Sequence, residues 1–268
     1  MRRIASFVYH RIDDNVFETC IKSLRSVSDC DVIVYTDNTP KNLRRQFDKQ
    51  YKIEWRNVNP ILMRGQRAVF KVIATNEFAE VQPTGTQIVV SDVDVYFLKD
   101  PFEAFGKEFD LGVTSRGYDY WIPINGGLYY YRMSEQLVRF LDYMSKEVDE
   151  PTWGAYVRFQ REHNHFKFGK DWSRGQDFLN VCWQYRDEIK DVFHIKVENL
   201  GPSYNFCPGV DVVGLDKAKE QIIDAYKNKS IHVLHLKSAL KELVYENVFE
   251  LAVTKHKKGN YNWEAVGK

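Results

Sequence analysis

The chain has 268 residues, 44% of them hydrophobic and 28% charged, with a formal net charge of +1. That length holds one large α/β domain or two small ones. The near-neutral balance excludes an overall field that draws the protein to nucleic acid or anionic membrane, though a local basic patch stays open, and no apolar run approaches the ~18 residues of a membrane-spanning helix.

Aromatic content is 15%, with 16 Tyr and 6 Trp, side chains that stack on sugars or bases and equally fill cores. The four cysteines (Cys20, Cys30, Cys182, Cys207) form no C-x-x-C pair, which argues against zinc and dithiol redox chemistry. A reducing, cytoplasmic compartment is expected. Arg2-Arg3 is followed by too short an apolar run to read as a secretory signal.

Ile4 to Tyr9 reads as the first strand. Asp13 or Asp14 can cap a helix carrying Val16, Phe17, Cys20, Ile21 and Leu24 on one stripe. Asp31 to Tyr35 is a second strand ending in the polar turn Thr36-Asp37-Asn38, and Asn38 or Thr39 can cap the next helix with Pro40 in its first turn. Tyr51 to Trp55 is a third strand. This alternation opens a doubly wound sheet, in which ligands bind at the carboxyl ends of the strands. Tyr9-His10 and Thr36-Asp37 lie at such ends. A helix then runs from Arg64-Gly65-Gln66-Arg67 to about Phe78, with Arg64, Arg67 and Lys71 on one face, either solvated or clamping phosphate at the helix start.

Gln87 to Phe105 is the stretch around which the chain is organised. Ile88-Val89-Val90 is a short β-branched run, hence a buried strand, and it leads into Asp92-Val93-Asp94. Side chains two residues apart share a face, so the two carboxylates converge. A D-x-D can be a plain solvated turn. Here, however, Val95 to Leu98 is apolar again, and aspartates wedged between apolar runs are costly to bury unless paired or metal-bound. Oxygen ligands suit Mg²⁺ or Mn²⁺, with positions left for phosphate oxygens.

Phe109 to Thr114 is another strand, and Ile124 to Arg132 joins the pair Gly126-Gly127 to a β-rich run. The glycines mark either a tight turn or close approach of backbone to a ligand. Ser134 caps a helix to about Glu147. From Asp149 to Trp172 periodicity is lost while aromatics alternate with Arg and Lys. That is either an acceptor-binding loop or an insertion packed by its own aromatics. His163 and His165 within it read as solvated. Arg174-Gly175-Gln176-Asp177 starts a helix, Asp177 suiting the first-turn dipole. Val192 to Ile195 reads as a strand, Leu200 to Gly209 as a loop, Asp216 to Tyr226 as a helix, Ile231 to Leu236 as the last strand and Ala239 to Leu251 as a closing helix. The tail from Thr254 is basic and polar.

With these residues laid out, the chain resembles the GT-A fold glycosyltransferases of the nucleotide-diphospho-sugar transferase family, and more distantly the glycogenin-like and bacterial galactosyltransferase-like retaining enzymes. Val89 to Pro101 is similar to the family's apolar strand, D-x-D and D-P; Asn125 to Arg132 to its N-x-G strand; Gln176-Asp177 with Asn180 to its D-Q helix start, in inverted order; His235 to Lys241 to its late H-x-x-G-x-x-K, with Ser238 in the glycine's place. The resemblance spans about residues 4 to 245. It implies a single α/β domain over residues 1–253, a mixed, mostly parallel Rossmann-like sheet flanked by helices, with residues 149–173 as an acceptor-side insertion and 254–268 as a tail.

Carried onto this sequence, Asp92, Asp94 and His235 would hold the divalent cation, Mn²⁺ or Mg²⁺. Asp92 would also meet the donor, a nucleotide sugar and first of all a uridine diphosphate sugar. Tyr9, His10, Thr36 and Asp37 would line the nucleotide, and Arg67, Lys71, Gly126, Gly127 and Gln176 its phosphates or sugar. Asn125, Asp177 and Lys241 would serve the chemistry, Lys241 on the leaving diphosphate. As residues alone, His235 could equally be a satisfied core histidine and Lys241 a helix-surface lysine. The acceptor is left open among glycan, protein, lipid-linked sugar and modified nucleic acid. A nucleotidyltransferase usually carries a glycine-rich loop after the first strand, and Tyr9 to Asp13 has no glycine. A non-catalytic binding protein on the same fold is the third reading, and the intact D-V-D argues against it.

Overall fold

The structure is a computed structural model. It describes residues 1–9, 14–36, 39–58, 71, 75–76, 78–118, 123–147, 174–245, 248–249, 251–255 and 261–265. The first half runs β1 (Arg3–Val8), α1 (Asp14–Val27), β2 (Asp31–Thr36), α2 (Lys41–Tyr51), β3 (Ile53–Asn57), β4 (Gln87–Ser91) and β5 (Val95–Phe97). A 3-10 turn at Pro101–Gly106 leads to β6 (Leu111–Val113), β7 (Leu128–Arg132), α3 (Glu135–Glu147), α4 (Arg174–Gln184), α5 (Arg186–Phe193) and β8 (Val197–Asn199). Then come α6 (Val210–Val213), α7 (Leu215–Asn228), β9 (Val233–His235), a 3-10 turn at Ser238–Lys241, α8 (Glu242–Tyr245), β10 (Leu251–Lys255) and β11 (Tyr261–Ala265).

Seven strands form one sheet in the order β3-β2-β1-β4-β7-β6-β8. β1 pairs parallel with β2 and β4, and β2 with β3. β7 runs antiparallel between β4 and β6, and β8 lies parallel to β6. The mixed, mostly parallel sheet expected from the sequence is therefore present. Its period-2 alternation sorts the core into two layers. Ile4, Ile33, Ile88, Val90, Tyr129 and Tyr131 face Leu137, Phe140, Phe178 and Leu179 of α3 and α4. Ala5, Phe7, Val32, Val34, Val89 and Tyr130 face Phe17, Ile21 and Leu24 of α1 and Phe47 of α2. Sheet strands buried on both faces read as near-continuous apolar runs, which is why Ile88-Val89-Val90 was recognisable.

β5 and β9 form a separate antiparallel ribbon, packed with Tyr96, Leu98, Ala218, Ile222, Leu234 and Leu240 in a third cluster. This ribbon holds the strand after D-V-D against the strand that ends in His235.

Four local expectations change. Pro40 is the N-cap residue of α2, with no side-chain cap bond; the Thr39 hydroxyl bonds Thr36 instead, at 2.6 Å. Residues 192–193 close α5, whose Asp187 and Glu188 sit in its first turn, and His194 ends it in the left-handed region at φ 58°, so the strand there is Val197–Asn199. The helix expected over 239–251 breaks into Ser238–Lys241, Glu242–Tyr245 and β10. The tail contributes β11, paired antiparallel with β10.

β6 crosses β7 where little space is left. A Cβ on Gly112 would lie 2.8 Å from Leu200 Cδ1, 3.0 Å from the Phe109 ring and 3.1 Å from Tyr130 Cβ. Gly112→Val is expected to destabilise the fold by about 1–3 kcal/mol through overpacking. This should appear as a lower urea midpoint at unchanged m-value; an unmoved midpoint would show that β6 yields freely.

Candidate metal and donor site

β4 ends at Ser91, and the turn Asp92–Asp94 hangs between the two sheets. The Asp92 N–H donates to the Gly127 carbonyl at 2.7 Å, and the Leu236 N–H donates to the Asp94 carbonyl at 2.7 Å. One end of the turn is thus tied to the segment before β7 and the other to the residue after His235. Pairing of Val95 with His235 brings the imidazole beside both carboxylates.

Asp92, Asp94 and His235 each offer a ligand atom, all within 4.8 Å of one another. His235 Nε2 lies 3.3 Å from Asp94 Oδ1 and 3.8 Å from Asp92 Oδ2. Each aspartate gives its other oxygen to a lysine. Lys71 Nζ is 2.7 Å from Asp92 Oδ1, and Lys241 Nζ is 3.0 Å from Asp94 Oδ2. Burial alone would push the Asp94 carboxyl up, but His235 and Lys241 outweigh it and hold the group well below the usual carboxylate range. The inward oxygens with His235 Nε2 make a mixed O,O,N donor set. Carboxylate oxygens suit Mn²⁺ and Mg²⁺, and the imidazole leans toward Mn²⁺.

The backbone around the site leaves no room for extra atoms. A Cβ on Gly127 would overlap Cε1 and Nδ1 of His235 and lie 3.2 Å from Asn205 Oδ1. The close neighbour of the Gly127 backbone is thus the His235 imidazole. Lys71, assigned by sequence to phosphate or sugar, reaches Asp92 and also donates to the Gly126 carbonyl at 2.5 Å. Gln176 Oε1 accepts from Arg116 Nη2 at 3.2 Å and the Gly126 N–H at 3.5 Å. Its Nε2 is buried with no hydrogen-bond partner among the described residues.

Other expected residues are placed differently. Asn125 is 2% exposed and its Oδ1 accepts from the Gly127 N–H at 3.1 Å, so it shapes the glycine turn rather than facing open space. Tyr9 is fully buried, stacked on Phe17 with centroids 4.2 Å apart, its hydroxyl on Asp14. Thr36 is fully buried with its hydroxyl on Thr39. Both are core residues at strand ends. Asp177 lies in the first turn of α4. His10, Asp37, Arg64, Arg67, His163 and His165, with the rest of the 149–173 stretch, lie outside the described residues. Sequence reasoning missed Thr114, Arg116 and Asn205. Two polar residues at a strand end and one in a Gly/Pro loop carried no spacing signal.

A model of the nucleotide-diphospho-sugar transferase family matches residues 63–184. No curated protein matches the chain by sequence. Among solved structures, the glycosyltransferase GlyE of Streptococcus pneumoniae TIGR4 aligns with a TM-score of 0.58 at 14% identity, over 92% of this chain and 61% of that one. The galactosyltransferase LgtC, in complex with donor and acceptor sugar analogs, aligns with a TM-score of 0.52 at 12% identity, over 91% of this chain and 95% of that one. This chain thus spans 61% of the length of GlyE. It has the GT-A fold of these glycosyltransferases, and the family match is confined to residues 63–184.

Two predictions concern the frame of the site. Gly127→Ala is expected to drive the His235 ring aside, weakening Mn²⁺ binding in calorimetric titration about tenfold or more while circular dichroism stays native; unchanged affinity would show that the imidazole is not the third donor. Ser238 has φ 55°, in the left-handed region where glycine carries no Cβ penalty. Ser238→Gly is expected to be neutral or to stabilise by up to about 1 kcal/mol, and a marked loss in Tm would place the Ser238 side chain in a stabilising contact.

Proposed function

We propose that this protein is a metal-dependent glycosyltransferase that moves a sugar from a nucleoside diphosphate to an acceptor hydroxyl with retention of anomeric configuration. The observation that carries this reading is the charge arrangement of the donor set. Two carboxylates are balanced by two lysines, and each carboxylate keeps one oxygen turned toward His235 Nε2. The cluster is formally neutral as it stands. Addition of a divalent cation leaves it with the charge needed to receive an esterified diphosphate. Asp92, Asp94 and His235 would hold Mn²⁺, or Mg²⁺ in its place, and the bound ion supplies Lewis-acid stabilisation of charge on the leaving diphosphate.

The chain's own groups do the rest. Lys241 and Lys71 are cations beside the carboxylates, positioned to offset negative charge that develops as the anomeric C–O bond to diphosphate breaks. Gln176 Nε2 is a buried donor available to a hydroxyl of the transferred sugar, with Asp177 next to it on α4. Asp37, which follows β2 in the sequence, is assigned to the nucleoside end with His10, and Arg67 to the phosphates. A donor built on uridine diphosphate is the first expectation. The resemblance of His235 to Lys241 to the late motif of retaining enzymes supports retention, in which the leaving diphosphate takes the acceptor's proton as the new glycosidic bond forms on the same face. The 149–173 stretch, with its alternating aromatic and basic residues, is assigned to the acceptor.

The test is a donor screen. Purified protein with a panel of nucleotide sugars, in Mn²⁺, Mg²⁺ or EDTA, is followed by thermal unfolding and by release of nucleoside diphosphate. One donor at about 100 times its Kd should stabilise the fold by about 2.7 kcal/mol, only with metal. Asp94→Asn should lower turnover roughly 10²-fold or more while the fold stays intact. Equal turnover in EDTA, or in that variant, would sink the metal-dependent mechanism. The anomeric configuration of the product, read by proton NMR, tests retention.

A further inference from the structure

We propose that Asn205 is a positioning residue that fixes the tautomer of His235 and so presents the Nε2 lone pair to the cation site. The inference rests on the reading of Asp92, Asp94 and His235 as that site. It starts from where the amide is held. Asn205 is fully buried and follows the 3-10 turn Pro202–Tyr204, its N–H donating to the Pro202 carbonyl. The next residue clips onto β9. The Phe206 N–H donates to the Val233 carbonyl and the His235 N–H to the Phe206 carbonyl, each at 2.8 Å. The side chains of residues 205 and 235 are therefore locked to one another through the backbone.

The orientation of the amide follows from its partners. Asn205 Nδ2 donates to Thr114 Oγ1 at 2.9 Å and to the Asn125 carbonyl at 3.2 Å. Thr114 spends its own proton on the Leu128 carbonyl at 2.8 Å, so its oxygen has lone pairs to accept with. Turning the amide over would set Oδ1 against the Asn125 carbonyl, acceptor against acceptor. Oδ1 is therefore the atom that faces His235 Nδ1, at 3.1 Å. A carbonyl oxygen only accepts, so the proton must be on Nδ1 and the lone pair on Nε2, the nitrogen aimed at Asp92 and Asp94. One group competes. Asn125 Nδ2 lies 3.4 Å from the same Nδ1, a donor facing a donor, and its amide is pinned by the Gly127 N–H. The shorter and better matched contact with Asn205 prevails. Metal-bound histidines commonly have the second nitrogen fixed in this way, and the fixing group carries much of the affinity.

Two measurements test this. Nitrogen NMR of the wild-type, metal-free protein, recorded above the pH at which the imidazole takes up its second proton, should find the His235 proton on Nδ1. A proton on Nε2 would overturn the proposal whether or not the protein binds metal. Titration calorimetry with Mn²⁺ alone should then show Asn205→Leu binding about 10–100-fold more weakly than wild type, while Asn205→Asp, which keeps an acceptor at Nδ1, recovers part of the loss. Wild-type affinity in Asn205→Leu would equally overturn it. If the leucine variant fails to fold, the wild-type NMR result decides. Failure of the wild type to bind Mn²⁺ at all would instead sink the cation reading.

Discussion

Two carboxylates at the end of a buried strand repel one another, and much of the surrounding structure serves to make their proximity tolerable. Like charges in a partly desolvated crevice drive each other toward protonation. Here each aspartate is met by its own lysine, one from the segment before β4 and one from the turn after β9, and a buried imidazole stands between them. The arrangement keeps the carboxylate of Asp94, the more buried of the pair, ionised against the effect of burial, so a cation can meet it without first displacing a proton.

The sheet was legible because its strands are buried on both faces and so stand out as short β-branched runs, and because Asp92 and Asp94 interrupt two of them. Helix α1 was legible from its apolar stripe and α7 from Asp216, which sits in its first turn. What was not legible depends on contacts between distant segments. Nothing in Tyr204-Asn205-Phe206 distinguishes it from any polar position in a Gly/Pro loop, yet Asn205 meets Thr114, Asn125 and His235. Asn125 carried a sequence signal for a sugar contact, but the adjacent glycine turn claims its side chain. Tyr9 and Thr36 were correctly placed at strand ends, which says nothing about which way a side chain turns. Ser238 is the reverse case. The position resembling a family glycine has the backbone conformation that glycine prefers, so the constraint survives although the residue differs.

The location of the site follows from two antiparallel registers in an otherwise mostly parallel arrangement. If β7 ran parallel to β4, its start would lie at the far edge of the sheet from Asp92. Running antiparallel, it pairs Ser91 with Leu128, which sets Gly126 and Gly127 directly beside the start of the D-V-D turn. The second reversal pairs Val95 with His235 and closes the other side. A slip of one residue in either ladder would turn the facing side chains to the opposite face. His235 would then leave the carboxylates, or Leu128 would displace Gly127 and its bulk would meet the imidazole. The large buried residues flanking each pair, Tyr129 to Tyr131 on β7 and Leu234 on β9, make such slips costly. The core that fixes strand register thereby also fixes the distances on which the chemistry depends.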